Sequence, residues 1–126
     1  MPWTVEYDSK LGIVDGRYVG RVTDDDFKEA TAKAIGLAKA NNTNRFLIDD
    51  SKWEGGASVL GLFELPEIHE ELRADRTSRA ALVLPPPSRT AEVRDARFYE
   101  TVCRNRGWDV RVFLEREEAI EWLTSK

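Results

Sequence analysis

Apolar and polar residues alternate through Trp3-Thr4-Val5-Glu6-Tyr7-Asp8, placing Trp3, Val5 and Tyr7 on one face. A period of two predicts a half-buried strand. Ser9-Lys10 reads as a tight connection and Leu11–Val14 as a second short strand. Asp15-Gly16 has the composition of a two-residue hairpin turn, which needs positive φ at both positions. Arg17–Val22 follows as a third strand, with Tyr18, Gly20 and Val22 on one face. The chain is therefore expected to open as an antiparallel meander.

The period then changes to that of a helix. Thr23 can cap it, Asp24, Asp25 and Asp26 suit the positive end of its dipole, and Val22 with Phe27 has the spacing of a hydrophobic staple. Phe27, Ala30, Ala34, Leu37 and Ala38 form one stripe, ending at Asn41-Asn42. Phe46, Leu47 and Ile48 are consecutive in Arg45–Asp50, as in a strand covered on both faces. Ser51–Ser58 reads as a polar turn. An apolar helix from Val59 reaches Pro66, which should kink or restart it, and Glu67–Ala74 continues with Ile68 and Leu72 inward. Ser78–Leu84 is a further strand, stopped by Pro85-Pro86-Pro87. Ser88 or Thr90 is expected to cap a long helix to Arg106, with Ala96, Tyr99, Val102 and Cys103 inward and Gly107 as its stop. Trp108–Leu114 alternates as a last strand, and Glu115–Thr124 closes the chain as a helix packing Ala119, Ile120 and Leu123. The order βββαβαβαβα predicts a single α/β domain over residues 1–126. Its mixed sheet has five to six strands: the antiparallel meander, then parallel strands joined by right-handed crossovers, packed with about four helices.

Composition narrows the function classes. Hydrophobic residues make up 41% and charged residues 33%, a soluble globular balance. No apolar run approaches the roughly 20 residues of a membrane span, so an integral membrane protein is not expected. The start MPWTVEYD has no signal-like core, so a cytoplasmic location is expected. Cys103 is the single cysteine and falls on an apolar helix face, where a small buried hydrophobe is the expectation. With His69 as the only histidine, neither a transition-metal site nor a Ser-His-Asp triad is expected, and no cofactor is called for. The net charge of −4 argues against nucleic-acid binding. Residues 76–111 nevertheless carry eight Arg against four acids, and Arg89, Arg94 and Arg97 are candidates for an anion-binding patch.

Four stretches carry a family likeness: Gly20-Arg21-Val22-Thr23 with Asp26-Phe27; Phe46-Leu47-Ile48-Asp49; Arg79–Val83; and Val112-Phe113 followed by Glu118-Ala119-Ile120-Glu121-Trp122-Leu123. On these the chain resembles the SpoIIAA-like family. That fold is the one of STAS domains (anti-sigma-factor antagonists) and is related to CRAL-TRIO lipid-transfer domains. The resemblance implies a phosphorylatable serine after the middle strand, in an Asp-Ser-Ser-Gly context. Here that stretch is Asp50-Ser51-Lys52-Trp53-Glu54-Gly55-Gly56: Lys52 replaces the second serine, and Trp53-Glu54 reads as an insertion. Ser51 and Ser58 are the phosphorylation candidates. The likeness to lipid-transfer domains implies a mobile segment covering an apolar pocket.

Ligands of open α/β sheets usually bind at the carboxyl ends of the strands, which points to the loop after Asp50. Trp53 is there either a plug for the core or a pocket wall. Val59, Leu60, Leu62, Phe63 and Leu65 are more apolar residues than one helix face needs, so either the helix is buried on several sides or part of that surface meets a ligand or a second subunit. Gly55-Gly56-Ala57-Ser58 offers backbone amides but lacks the lysine and spacing of a phosphate-binding loop. Asp49 and Asp50 are adjacent on a strand and point to opposite faces, so they form no close acid/base pair unless the strand ends between them. The expectation is a non-enzymatic binding module without catalytic residues, for a small apolar or amphipathic ligand held near the Trp53–Leu65 segment and Pro85–Ser88. Trp53, Leu62 and Phe63 would supply apolar contact and Ser51, Ser58 and Ser88 polar anchors, while Arg89 would pair with an anionic head group. The alternative is a regulatory protein–protein module of the anti-sigma-antagonist type, with or without serine phosphorylation. A homodimer would explain the same spare apolar surface. A hydrolase or transferase using Asp50 and His69 is a remote third.

Overall fold

The computed structural model describes residues 2–125 of the 126. Its elements in chain order are β1 (Trp3–Asp8), β2 (Ile13–Gly20), α1 (Asp24–Ala40), β3 (Arg45–Trp53), α2 (Val59–Glu71), β4 (Arg79–Val83), α3 (Thr90–Asn105), β5 (Asp109–Phe113) and α4 (Arg116–Thr124). The five strands form one sheet in the order β1-β2-β3-β4-β5; β1 is antiparallel to β2 and the other pairs are parallel. The fold is thus a mixed α/β sheet with four helices, at the lower of the two expected strand counts.

The missing strand was placed by Asp15-Gly16. Those residues do not turn; they run straight through β2, paired with Glu6 and Val5. The turn lies earlier, between Asp8 and Ile13. There Asp8 Oδ1 accepts from the amides of Lys10 (2.9 Å) and Leu11 (3.1 Å), and Gly12 supplies a φ of 70°. An aspartate that gathers its own downstream amides makes the better turn.

Because each parallel strand is added next to the one before, right-handed crossovers carry α1, α2 and α3 to the same face. Only α4 is left for the other. The first face buries Val5, Val14, Tyr18 and Leu82 against Phe27, Leu62, Leu65 and Tyr99. The second buries Ile13, Leu47, Ala81 and Val83 against Ala119 and Leu123. Helix α4 is also held at both ends by charged groups. Arg116 donates to Asp49 Oδ2 (2.9 Å) and to Asp15. At the far end Arg45 Nε donates to the Leu123 carbonyl (3.0 Å), and Arg79 to those of Trp122 and Ser125.

Local signals at the N-terminus of α1 hold: Thr23 and Asp26 form a reciprocal capping box. Others do not. Helix α2 continues through Pro66, whose ring is buried with Leu62 and Leu65; packing offsets the lost amide. Neither Ser88 nor Thr90 caps α3, which begins after Arg89 without a side-chain cap. Leu114 and Leu72, expected inward, are exposed, because each lies one residue beyond its element.

Candidate functional site

Helix α1 packs on β1 and β2, and α3 on β5, while α2 rides mainly on α1 and α3. Beneath α2, over β3 and β4, the packing leaves a space, so Phe46, Ile48 and Ala80 stay only half-buried in the middle of the sheet. An outer chamber of about 70 Å³, partly open to solvent, lies over them, walled by Ile35, His69, Tyr99 and Trp108. An inner chamber of about 30 Å³ reaches the end of β3, at Asp50 and Trp53. Tyr18, Thr31, Ile48 and Tyr99 line both chambers. The outer chamber thus sits over the amino ends of β4 and β5, and only the inner one lies at a carboxyl end.

A bulge builds the inner end. Arg17 pairs with Asp49 but Val19 with Lys52, so β3 carries an extra residue there. Without it Asp50 and Trp53, an odd number of residues apart, would point to opposite faces. With it, both face the inner chamber. Trp53 is buried, donates its indole N–H to the Gly55 carbonyl (3.0 Å) and meets Phe27 edge-on at 5.6 Å. It is plug and wall at once.

The walls are mostly apolar, with Thr31, His69 and Asp109 among them, and unpaired polar atoms are set into them. Asp50 is 4% exposed, and its Oδ1 has no hydrogen-bond partner among the described residues. The same holds for Ser78 Oγ and Trp108 Nε1 at the outer chamber. Buried polar groups are rarely left unpaired; among the described residues only Trp3 Nε1 and Asp15 Oδ1, neither of which lines a chamber, share this condition. Burial, with the Asp49 carboxylate next in the strand, holds the Asp50 carboxyl well above the usual range. Burial likewise raises the Tyr18 and Tyr99 hydroxyls. His69 is pushed down to about 4 by burial and by Arg76; its Nε2 lies 3.4 Å from the Tyr99 hydroxyl. At neutral pH Tyr18, Tyr99 and His69 are therefore uncharged. Cys103 is buried, its thiol pushed up to about 12, and it behaves as a core residue.

On the opposite face Asp49 belongs to a different cluster. Burial pushes its carboxyl up, but hydrogen bonds from Ser51 and Arg116 more than reverse this. No group of three or more His, Cys, Asp or Glu side chains among the described residues is arranged to hold a metal ion. No helix there is long and apolar enough to cross a membrane.

The SpoIIAA-like family model matches residues 13–124, nearly the whole chain. The chain belongs to the SpoIIAA-like family. Among solved structures it is similar to an uncharacterised SpoIIAA-like-fold protein of the DUF3478 family from Shewanella loihica PV-4. The identity is 18% and the TM-score 0.59, over 96% of this chain and 91% of that one. It is also similar to the anti-sigma factor antagonist SpoIIAA in its unphosphorylated form, at 16% identity and a TM-score of 0.56, over 98% and 99%. Identities this low speak for the fold alone. No curated protein matches the sequence.

In this SpoIIAA-like chain the residues expected to form one site are dispersed. Trp53 and Leu62 line the inner chamber. Ser51 lies in the strand, not in a turn, and donates to Asp49 Oδ1 (2.6 Å). Ser58 caps α2, accepting from the Gly61 amide (2.9 Å) and donating to Asp24 Oδ2 (2.6 Å). Phe63 is 42% exposed beneath the Arg106 guanidinium. Ser88 is exposed, and Arg89 is paired with Glu54 at 2.5 Å. Of the other arginines of the suggested patch, Arg94 sits 3.6 Å from Asp95 and Arg97 is exposed. Sequence reasoning took Tyr18 and Tyr99 for ordinary inward residues and did not pick out Ser78 or Trp108 as site residues. A signal existed at Asp50, an acid at the end of an apolar strand, but its face depends on the bulge.

Proposed function

We propose that this protein is a non-enzymatic binding module that takes a small amphipathic ligand into the two chambers under α2. One observation carries the reading: three buried polar atoms without partners among the described residues, on Asp50, Ser78 and Trp108, around a mostly apolar space. A guest with apolar bulk and one or two hydrogen-bonding groups satisfies both kinds of surface. Among the residues singled out in the sequence, Trp53 and Leu62 belong to this site. Native mass spectrometry of the purified protein, then of the same sample denatured, tests the role directly. A retained adduct that leaves on denaturation supports it. So does its loss in Ala80→Phe, which fills the outer chamber. Adduct retention in folded Ala80→Phe overturns the placement.

A second reading, a regulatory protein-binding module, is favoured by a different surface. Val59, Leu60 and Phe63 form an exposed apolar ridge on α2, Leu60 at 66% exposure, directly after Ser58. A similar structure carries the name anti-sigma factor antagonist. In this reading the ridge meets a protein partner or a second copy, and a phosphate on Ser58 would displace it from Asp24. Intact mass after co-expression with a cognate kinase reads the modification. An unmodified Ser58 and Ser51 count against this form of regulation.

A further inference from the structure

Resting on the binding role above, this inference names the ligand's chemistry. We propose that the inner chamber is the head-group site for a small primary alkylammonium ion. Its nitrogen would sit on Asp50, with its alkyl tail over Phe46 and Ile48 in the outer chamber.

Asp50 is the one acidic side chain lining the inner chamber. No lysine, arginine or histidine among the described residues forms an ion pair with it, and one of its oxygens is unpartnered. Four aromatic rings, Tyr18, Phe27, Trp53 and Tyr99, share that lining. Aromatic faces attract a cation and offer an anion nothing. A carboxyl acceptor ringed by aromatics therefore selects a positive head group, and an anion entering the chamber would be desolvated without a counter-charge. The tail follows from the floor: Phe46, Ile48 and Ala80 are apolar and half-covered. Together the chambers suit a guest of about five heavy atoms, well below the size of a lipid.

The proton balance is fixed by the environment of Asp50. The titratable groups facing it are Tyr18 from β2 and Tyr99 from α3, with Asp49 beside it in the strand. Helices α1 and α2 contribute Phe27, Thr31, Leu62 and Leu65 to the inner chamber, none of which titrates. His69 and its neighbour Arg76 stand by the outer chamber. Burial and the neighbouring Asp49 raise the carboxyl well above its usual range, so below its pKa the guest must displace a proton. When the ammonium ion arrives, the O–H bond breaks and that proton leaves to solvent; carboxylate and ammonium then form the ion pair. Affinity consequently rises with pH, by up to about tenfold per unit below the carboxyl's own pKa.

The probes are n-butylammonium, 1-butanol and butyrate, titrated at pH 6 and pH 8 into the full chain and into Asp50→Asn, a neutral isostere. Binding is followed by NMR on the indole N–H signals of Trp53 and Trp108. The expected result is n-butylammonium at least about tenfold tighter than the other two probes at pH 8, weakening at pH 6 and in Asp50→Asn. Butanol or butyrate binding as tightly overturns the amine assignment and leaves the binding role standing. So does unchanged affinity in Asp50→Asn, or affinity independent of pH. A lack of response to all three probes overturns both this assignment and the binding role on which it rests.

Discussion

Gly61→Ala should destabilise the protein in one background and stabilise it in another. Gly61 lies in the first turn of α2, after the cap Ser58. A Cβ built there falls 2.3 Å from Asp24 Cγ and Oδ1, inside any tolerable contact. That carboxylate accepts from the Ser58 amide (2.7 Å) and hydroxyl (2.6 Å), tying the start of α1 to the start of α2. Alanine must push it away. Two charge-assisted hydrogen bonds at a half-exposed site are worth about 1 kcal/mol each after solvent screening. Against this, alanine gains at most about 1 kcal/mol of helix propensity over glycine. The net loss expected is about 1 kcal/mol. In an Asp24→Ala background the obstacle and the two bonds are already gone, so Gly61→Ala should stabilise by up to about 1 kcal/mol. Urea unfolding of the four proteins of this cycle gives the coupling, expected near 2 kcal/mol. The same sign of effect in both backgrounds would refute the contact between Asp24 and Gly61 as the cause.

Three further outcomes follow from the same structure. The Asp50 carboxyl, raised in the folded state, ionises later than its unfolded counterpart, so between the unfolded and the folded pKa stability falls with rising pH by about 1.4 kcal/mol per unit. Asp50→Asn should remove that slope and be more stable than the parent at pH 7, as read by urea unfolding across pH. His69 has the opposite sign: neutral in the fold down to about 4, it costs stability as pH drops below its unfolded value near 6.5. The loss should reach about 3 kcal/mol and be absent in His69→Gln. Gly56 has a φ of 105° and its Cβ position is 2.7 Å from the Val22 carbonyl, a backbone neighbour that cannot step aside. Gly56→Ala should therefore lower the thermal midpoint far more than Gly36→Ala, on the open side of α1, where no atom lies within 4 Å.

The fold was legible wherever local and long-range preferences agree. Thr23 with Asp26, the apolar run Phe46–Ile48 and the stop at Gly107 each set a boundary that packing then respects. Asp15-Gly16 misled because a turn dipeptide also fits inside a strand when a better turn, built on Asp8 and Gly12, stands just upstream. Trp53 was expected in the turn Ser51–Ser58 but is the last residue of β3, and its neighbours were not legible either. Its face depends on the extra residue in β3 opposite Tyr18, and a bulge leaves no mark in the hydrophobic pattern. The chambers come from α2 resting on two helices instead of on strands. That is a property of three elements together, which no single segment encodes.

Helix α4 covers the second face of the sheet alone, with nine residues and two fully buried side chains. A cover with so little buried area and so much ionic fastening is the unit expected to open first, ahead of global unfolding. Its amides should exchange with deuterium faster than those of α1. As acid titrates Asp49, the clasp to Arg116 loosens at its N-terminal end. Lifting it would bare Ile13, Leu47, Ala81 and Val83 across three adjacent strands, a flat adhesive surface. Survival in acid below the ordinary carboxylate range is thus governed by one short helix, not by the global stability of the domain.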